Sequence, residues 1–111
     1  MEALKQKLLI EYVLSSSDVF AICNPIIKSK YFDPEFKQTI SFIKEYYDQY
    51  NSLPDEKQVA AETGLELEIN KISEKQTDYC IAEIEKFCRM RGFYDALLNG
   101  LKEYEKGDTG E

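Results

Sequence analysis

Few side chains in this sequence are equipped for chemistry, and their spacing assigns most of them to structure. The chain has no histidine and no tryptophan. Without an imidazole there is no Ser–His–acid triad, no histidine–metal site and no base that titrates near neutral pH. The three cysteines, Cys23, Cys80 and Cys88, form no CxxC pair. An odd number of thiols with no signal peptide ahead of them points to a reducing, cytoplasmic setting. Cys80 and Cys88 fall two turns apart on one helix, a spacing for packing, and four zinc ligands cannot be assembled. The acid pairs Asp55–Glu56 and Glu66/Glu68 read as solvated surface, since a carboxylate-pair hydrolase needs its acids facing one another across a cleft. Ser15, Ser16 and Ser17 have no base nearby and read as a loop. No GxxxxGK(S/T) run occurs and no glycine follows a strand, so there is no loop to cradle a phosphate. The expectation is a chain with no catalytic, cofactor-binding or metal-ligating set of its own, and so not an enzyme.

What remains is a binding chemistry. From Cys80 an apolar seam runs through Ile84, Phe87, Arg91, Tyr94, Leu98 and Leu101 in steps of four and three. That a/d spacing keeps a narrow stripe on one helix face. A helix from Lys75 to Lys106 spans about 48 Å, whereas a compact domain of this size has a radius of gyration of about 13 Å. The helix should therefore overhang its own core, and an overhanging apolar seam calls for a partner. These six residues are the candidate protein interface. Arg91 interrupts the seam. It either lies over the rings of Phe87 and Tyr94 or meets an acid on a partner helix and fixes register.

The 111 residues suffice for one domain. Apolar residues make up 43% and charged residues 32%, a soluble globular balance. The net charge of -7 is spread without a basic segment, which disfavours direct nucleic-acid binding, because a duplex-binding surface needs Lys and Arg to replace counterions. No apolar run is long enough to span a membrane, and the amphipathic, acid-bearing N-terminus suits a folded helix rather than a targeting peptide.

The elements that position the seam read as follows. Glu2 to Leu14 is a helix with Leu4, Leu8 and Tyr12 on one stripe and Leu9 and Val13 beside it. The serine run ends it and caps a short helix from Asp18 to Cys23. Asn24-Pro25 is a boundary, with another helical turn expected from Pro25 to Ser29. Asp33-Pro34-Glu35 starts the central helix, with Asp as cap and Pro at the first position. Its core positions are Phe36, Ile40, Ile43, Tyr47 and Tyr50. Asp55 to Thr63 is a short helix stopped by Gly64. Leu65 to Ile72 alternates apolar and polar but has no strand to pair with, so it reads as a loop or turn. Ser73 or Thr77 caps the last helix. Gly92 and Gly100 lie inside that helix at a cost of roughly 1 kcal/mol each. They mark a tolerated defect, a break, or close approach by another helix, and a continuous helix is favoured. The expected fold is all-α: a small orthogonal bundle of five or six helices over residues 1–74, a long helix over 75–106, and a flexible tail or start of a linker over 107–111.

Four blocks in this order carry a resemblance: the first helix, a short helical pair closing on the aromatic corner NPIIKSKYFDPEF, the helix FKQTISFIKEYYDQYNSLP leading into DEKQVAAETG, and YCIAEIEKFCRMRGFYDALL. The chain resembles the N-terminal domain of DnaB-family replicative DNA helicases, most closely the phage type. The likeness covers residues 1–106 and lies in order, spacing and apolar character. It implies a helical head followed by a helical hairpin that pairs between subunits to form a collar on a hexameric ring. Primase and a helicase loader would dock on the head and collar. ATP and magnesium would belong to a RecA-like motor beyond residue 111, and none is expected in this chain. Only the first hairpin arm is present, so the seam would be left half-covered or would pair with a second copy. Two other readings stand beside this one. A helicase-binding tail domain of a primase has a related head and hairpin, although the start at Met1 and the single arm favour the helicase side. A small helical regulator that sequesters a partner by helix pairing is the other.

Overall fold

The structure is a computed structural model that describes residues 2–109, with side chains through residue 104. It is all-helical, and among the described residues there is no strand. In chain order the elements are α1 (Glu2–Ser15), α2 (Ser17–Cys23), a single 3-10 turn (Ser29–Tyr31), α3 (Pro34–Tyr50), α4 (Glu56–Thr63) and α5 (Glu74–Thr109). The first four helices and the turn form a small bundle, and α5 both enters that bundle and leaves it.

Local chemistry sets each boundary. Ser16 caps α2 by accepting a hydrogen bond from the Val19 N–H. Pro34 occupies the first turn of α3, where its missing donor costs nothing. Asn51 ends α3 in the left-handed region at φ 55°, a conformation asparagine tolerates. A full capping box opens α4: the Asp55 carboxylate accepts from the Gln58 N–H while the Gln58 amide oxygen accepts from the Asp55 N–H. Gly64 closes α4 at φ 78°, where a side chain would be strained. Ser73 precedes α5, and Gln76 reaches back to accept from its N–H.

The core is one cluster to which every helix contributes: Leu9, Ile10, Val13 and Leu14 from α1, Val19, Phe20 and Cys23 from α2, Phe36, Ile40 and Ile43 from α3, Val59 from α4, and Cys80, Ile84, Phe87 and Cys88 from α5. The Phe32 and Phe87 rings meet at 5.0 Å and the Phe20 and Tyr47 rings at 4.7 Å, both tilted, joining α5 and α2 to their neighbours.

Several local expectations are corrected. The stripe placed on α1 through Leu4, Leu8 and Tyr12 is not the buried face. Leu4 is 71% exposed and Leu8 is exposed as well, whereas Leu9 and Val13, placed beside the stripe, lie inside with Ile10 and Leu14. α1 is apolar around most of its circumference, so periodicity alone does not choose the face. Gln6 is also buried. Its amide oxygen accepts the Asp33 N–H at 2.8 Å, which ties the start of α3 to α1. Asp33 holds the cap position of α3, but its side chain makes no capping bond. Of the helical turn expected over 25–29, the start is present, with the Ile26 and Ile27 N–H groups bonding the Cys23 carbonyl, and a separate 3-10 turn follows at Ser29–Tyr31. The 65–72 segment is a loop, as expected, and its alternation is used for packing. Leu67 is buried, and Leu65, Ile69 and Ile72 lean on the same core. α5 is continuous through Gly92 and Gly100, as expected, but runs on to Thr109, into the expected tail, of which residues 110–111 lie outside the described residues. Close approach does occur at Gly92, but not by another helix. A Cβ there would sit 3.2 Å from the Tyr31 hydroxyl oxygen, while at Gly100 it would meet nothing.

Leu9→Ala should destabilise the fold by about 2–5 kcal/mol through loss of buried methyls and an unfilled cavity. Leu4→Ala should stay within about 0.5 kcal/mol of the parent. Urea unfolding followed by far-UV circular dichroism checks both, and equal losses would overturn the assigned face of α1.

Candidate functional site

The 36 residues of α5 extend about 54 Å at 1.5 Å per residue, which matches the 56 Å long axis of the molecule. The radius of gyration is 16.2 Å, against about 13 Å for a compact chain of this length. The excess is the C-terminal part of α5, which stands clear of the bundle beyond Asp95, where the Lys30 ammonium makes a 3.9 Å contact from the head.

The N-terminal half of α5 is fixed in the head. Cys80, Ile84, Phe87 and Cys88 are buried against α1, α2 and the loop aromatics. The Lys5 ammonium meets the Glu83 carboxylate at 2.7 Å, and the Tyr79 hydroxyl donates to the same oxygen at 3.2 Å. These bonds hold the Glu83 carboxyl below its ordinary value and raise Lys5.

Arg91 marks the point where the helix leaves the head. Its guanidinium lies 3.0 Å from the Glu2 carboxylate and 3.6 Å from that of Asp33, and 5.2 Å from the Phe87 ring centroid. Both acids belong to this chain, so Arg91 bridges α1, α3 and α5, and the ring contact expected of it is made with Phe87. The Asp33 carboxylate is turned towards Arg91 instead of capping α3.

The six seam residues therefore separate into three groups. Ile84 and Phe87 serve the chain's own core, Arg91 binds within the chain, and Tyr94, Leu98 and Leu101 stand in solvent. Sequence spacing missed their neighbours on the arm: Met90, Phe93, Leu97 and Tyr104 are also more than a third exposed. Met90, Tyr94, Leu97, Leu101 and Tyr104 themselves step by four and three, a second a/d series written over the first. At about 100° per residue, this stripe is centred roughly a quarter turn from the face that Cys80, Ile84 and Phe87 present to the head. The same helix carries one apolar face for its own core and a second one beyond it.

All three cysteines are held as free, buried thiols. Burial pushes the Cys23 and Cys88 thiols up to about 11, with the Glu85 carboxylate and Cys80 adding to the effect at Cys23 and Cys23 adding to it at Cys88, and burial raises Cys80 as well. Among the described residues no group of three or more His, Cys, Asp or Glu side chains is arranged to hold a metal ion, and no helix is long and apolar enough to cross a membrane. Lys44 donates to the carbonyls of Asn24 and Ile27, where α2 ends, and burial lowers its pKa.

No protein-family model, curated protein or solved structure matches this chain.

Thiolate, not thiol, is the reactive form, so native protein at pH 8 should leave all three cysteines unmodified by Ellman's reagent, with all three reacting in urea. Stability should also fall with rising pH. The unfolded chain releases its thiol protons near 9.0, whereas the folded chain holds those of Cys23 and Cys88 to about 11. Within that window the native state binds more protons, and the slope of stability against pH is negative. Tyr12 acts in the same direction and Lys44 opposes it. Thermal melts across pH 9 to 11 should show the decline, and Cys88→Ala should flatten it.

Proposed function

We propose that this chain is a non-catalytic assembly domain that acts by protein–protein docking, the head-and-arm N-terminal module of a DnaB-type replicative helicase. One observation carries the docking reading. A helix anchored by its first half in a packed core projects a second apolar stripe, Met90, Tyr94, Leu97, Leu101 and Tyr104, into solvent. Monomeric proteins rarely leave a contiguous apolar patch uncovered unless it meets a partner. The helicase assignment rests on the resemblance in the order and spacing of the elements.

In this reading the arm pairs with a second long helix, either from further along the same protein or from a sister subunit, and contributes to a collar on a hexamer. Primase and a helicase loader are the further partners, docking on the head or the collar. The head supplies a rigid base, the arm supplies the contact area, and ATP hydrolysis belongs to a separate motor. The acidic balance of the chain supports docking on protein in preference to DNA.

The chain should self-associate as its concentration rises, because each copy covers the stripe of the other. The ordering cost of association, about 4–15 kcal/mol, is opposed here by a few half-exposed side chains, so the pairing is weak and concentration-dependent. The double variant Leu97→Glu with Leu101→Glu should remain monomeric while keeping the parent's melting temperature, since neither side chain touches the core. Analytical ultracentrifugation over a wide concentration range checks this. A parent chain that stays strictly monomeric, or a variant that associates as the parent does, would overturn the arm as the contact. Binding of the cognate purified primase, lost in the same variant, tests the partner.

A further inference from the structure

A second surface, remote from the arm, has the composition of a binding groove. Phe42, Tyr46 and Tyr50 recur at four-residue spacing along α3, so their rings stand one above another on a single face. The Phe42 and Tyr46 rings are 5.9 Å apart and the Tyr46 and Tyr50 rings 4.7 Å apart, tilted at 58° and 49°. α4 forms the opposite wall with Gln58, Ala61 and Glu62, and the cleft between the two helices encloses about 390 Å³. None of its lining residues belongs to α5.

The walls are fixed before anything binds. The Thr39 and Thr63 hydroxyls are 3.1 Å apart, and the Gln38 amide donates to the Glu62 carbonyl at 3.4 Å, joining α3 to α4. Gln58 is held at both ends: its oxygen closes the α4 capping box, and its amide nitrogen donates to the Tyr46 hydroxyl at 3.3 Å. Tyr46 is thereby held in place, while Tyr50 stays 57% exposed.

Charge selects the occupant. The lining carries two carboxylates, Glu45 and Glu62, and no lysine or arginine. Lys57 lines a different cleft, with Lys7 and Glu11, and Lys44 is committed to the carbonyls at the end of α2. Aromatic faces flanked by acids attract cations, and a guanidinium suits them best because it stacks on a ring and forks to a carboxylate. We propose that the α3–α4 groove is a docking site for an arginine-bearing peptide segment of a partner protein. An anionic partner is repelled by the same carboxylates.

The test uses the whole chain and an alanine-based helical peptide carrying arginines one turn apart, with lysine and glutamate versions as comparisons. Two-dimensional NMR of the aromatic signals should show saturable shifts at Phe42, Tyr46 and Tyr50 with the arginine peptide. Binding should be weaker with lysine and absent with glutamate, and it should weaken as salt is raised. Tyr50→Ala, at an exposed position that leaves the fold intact, should lower affinity roughly fivefold. Glu45→Gln with Glu62→Gln should lower it roughly threefold. Leu97→Glu on the arm should leave peptide binding unchanged, which separates this proposal from the fate of the arm. Shifts confined to other faces, equal binding of the glutamate peptide, or an unaltered affinity in Tyr50→Ala would overturn it.

Discussion

Everything in this molecule depends on where α5 is buried. The four side chains Cys80, Ile84, Phe87 and Cys88 complete a core that α1 to α4 do not close by themselves. A bundle this small has little apolar area to spare, so these turns of α5 are part of the head as much as α1 or α3 is. A division at residue 74 separates elements, not cores. The arm is consequently no appendage on a flexible joint. It is the continuation of a core helix, and its direction is set by packing within the head.

Arg91 refines that direction. Where the last buried turn of α5 gives way to solvent, one guanidinium meets acids from the first turn of α1 and the cap of α3 and lies near the Phe87 ring. Exposed pairs contribute little singly, but this one has two carboxylates and an aromatic face around a planar fork, and it joins three elements at the base of the arm. It also explains why Asp33, well placed to cap α3, does not: its carboxylate is turned to Arg91. Tyr31 is set against Gly92 one residue further along. The loss of a Cβ there leaves room for the ring of the 3-10 turn to close against the helix without bending it.

Most of this architecture was legible in the sequence because it rests on short-range signals. Ser16, the Asp55–Gln58 box, Pro34 and Gly64 act within a turn or two of themselves, and each element they bound is where its signal puts it. The core face of α3 was readable from Phe36 to Tyr47 because its apolar residues are flanked by polar ones, but Tyr50, on the same spacing in the last turn, lies beyond the reach of the core and is exposed. Misreadings arose where apolar residues ring a helix. On α1, Leu4 and Leu8 match the helical period as well as Leu9 and Val13 do, and only the tertiary fit separates them. On α5 two a/d series overlap. One seam drawn from Ile84 to Leu101 mixes residues spent on the core with residues left in solvent, and Met90, Leu97 and Tyr104 were missed for that reason. The acids facing Arg91 lie 58 and 89 residues away from it in sequence, beyond the reach of any local pattern.

The overlap of the two series has a physical consequence for assembly. A helix with a single apolar seam must choose between its own head and a partner, and any partner reaching the seam competes with the core. Here the two faces lie about a quarter turn apart and follow one another along the axis, with Arg91 at the crossing. A second helix covering Met90, Tyr94, Leu97, Leu101 and Tyr104 would approach from the side, clear of the contacts that hold Phe87 and Ile84. Gly100, at the edge of that stripe, meets nothing within the chain. It weakens an exposed helix by roughly 1 kcal/mol relative to alanine, and no contact in the chain offsets that cost. The arm thus combines a position fixed from within with an apolar surface that the head leaves uncovered, and both follow from running one uninterrupted helix through the core and out of it.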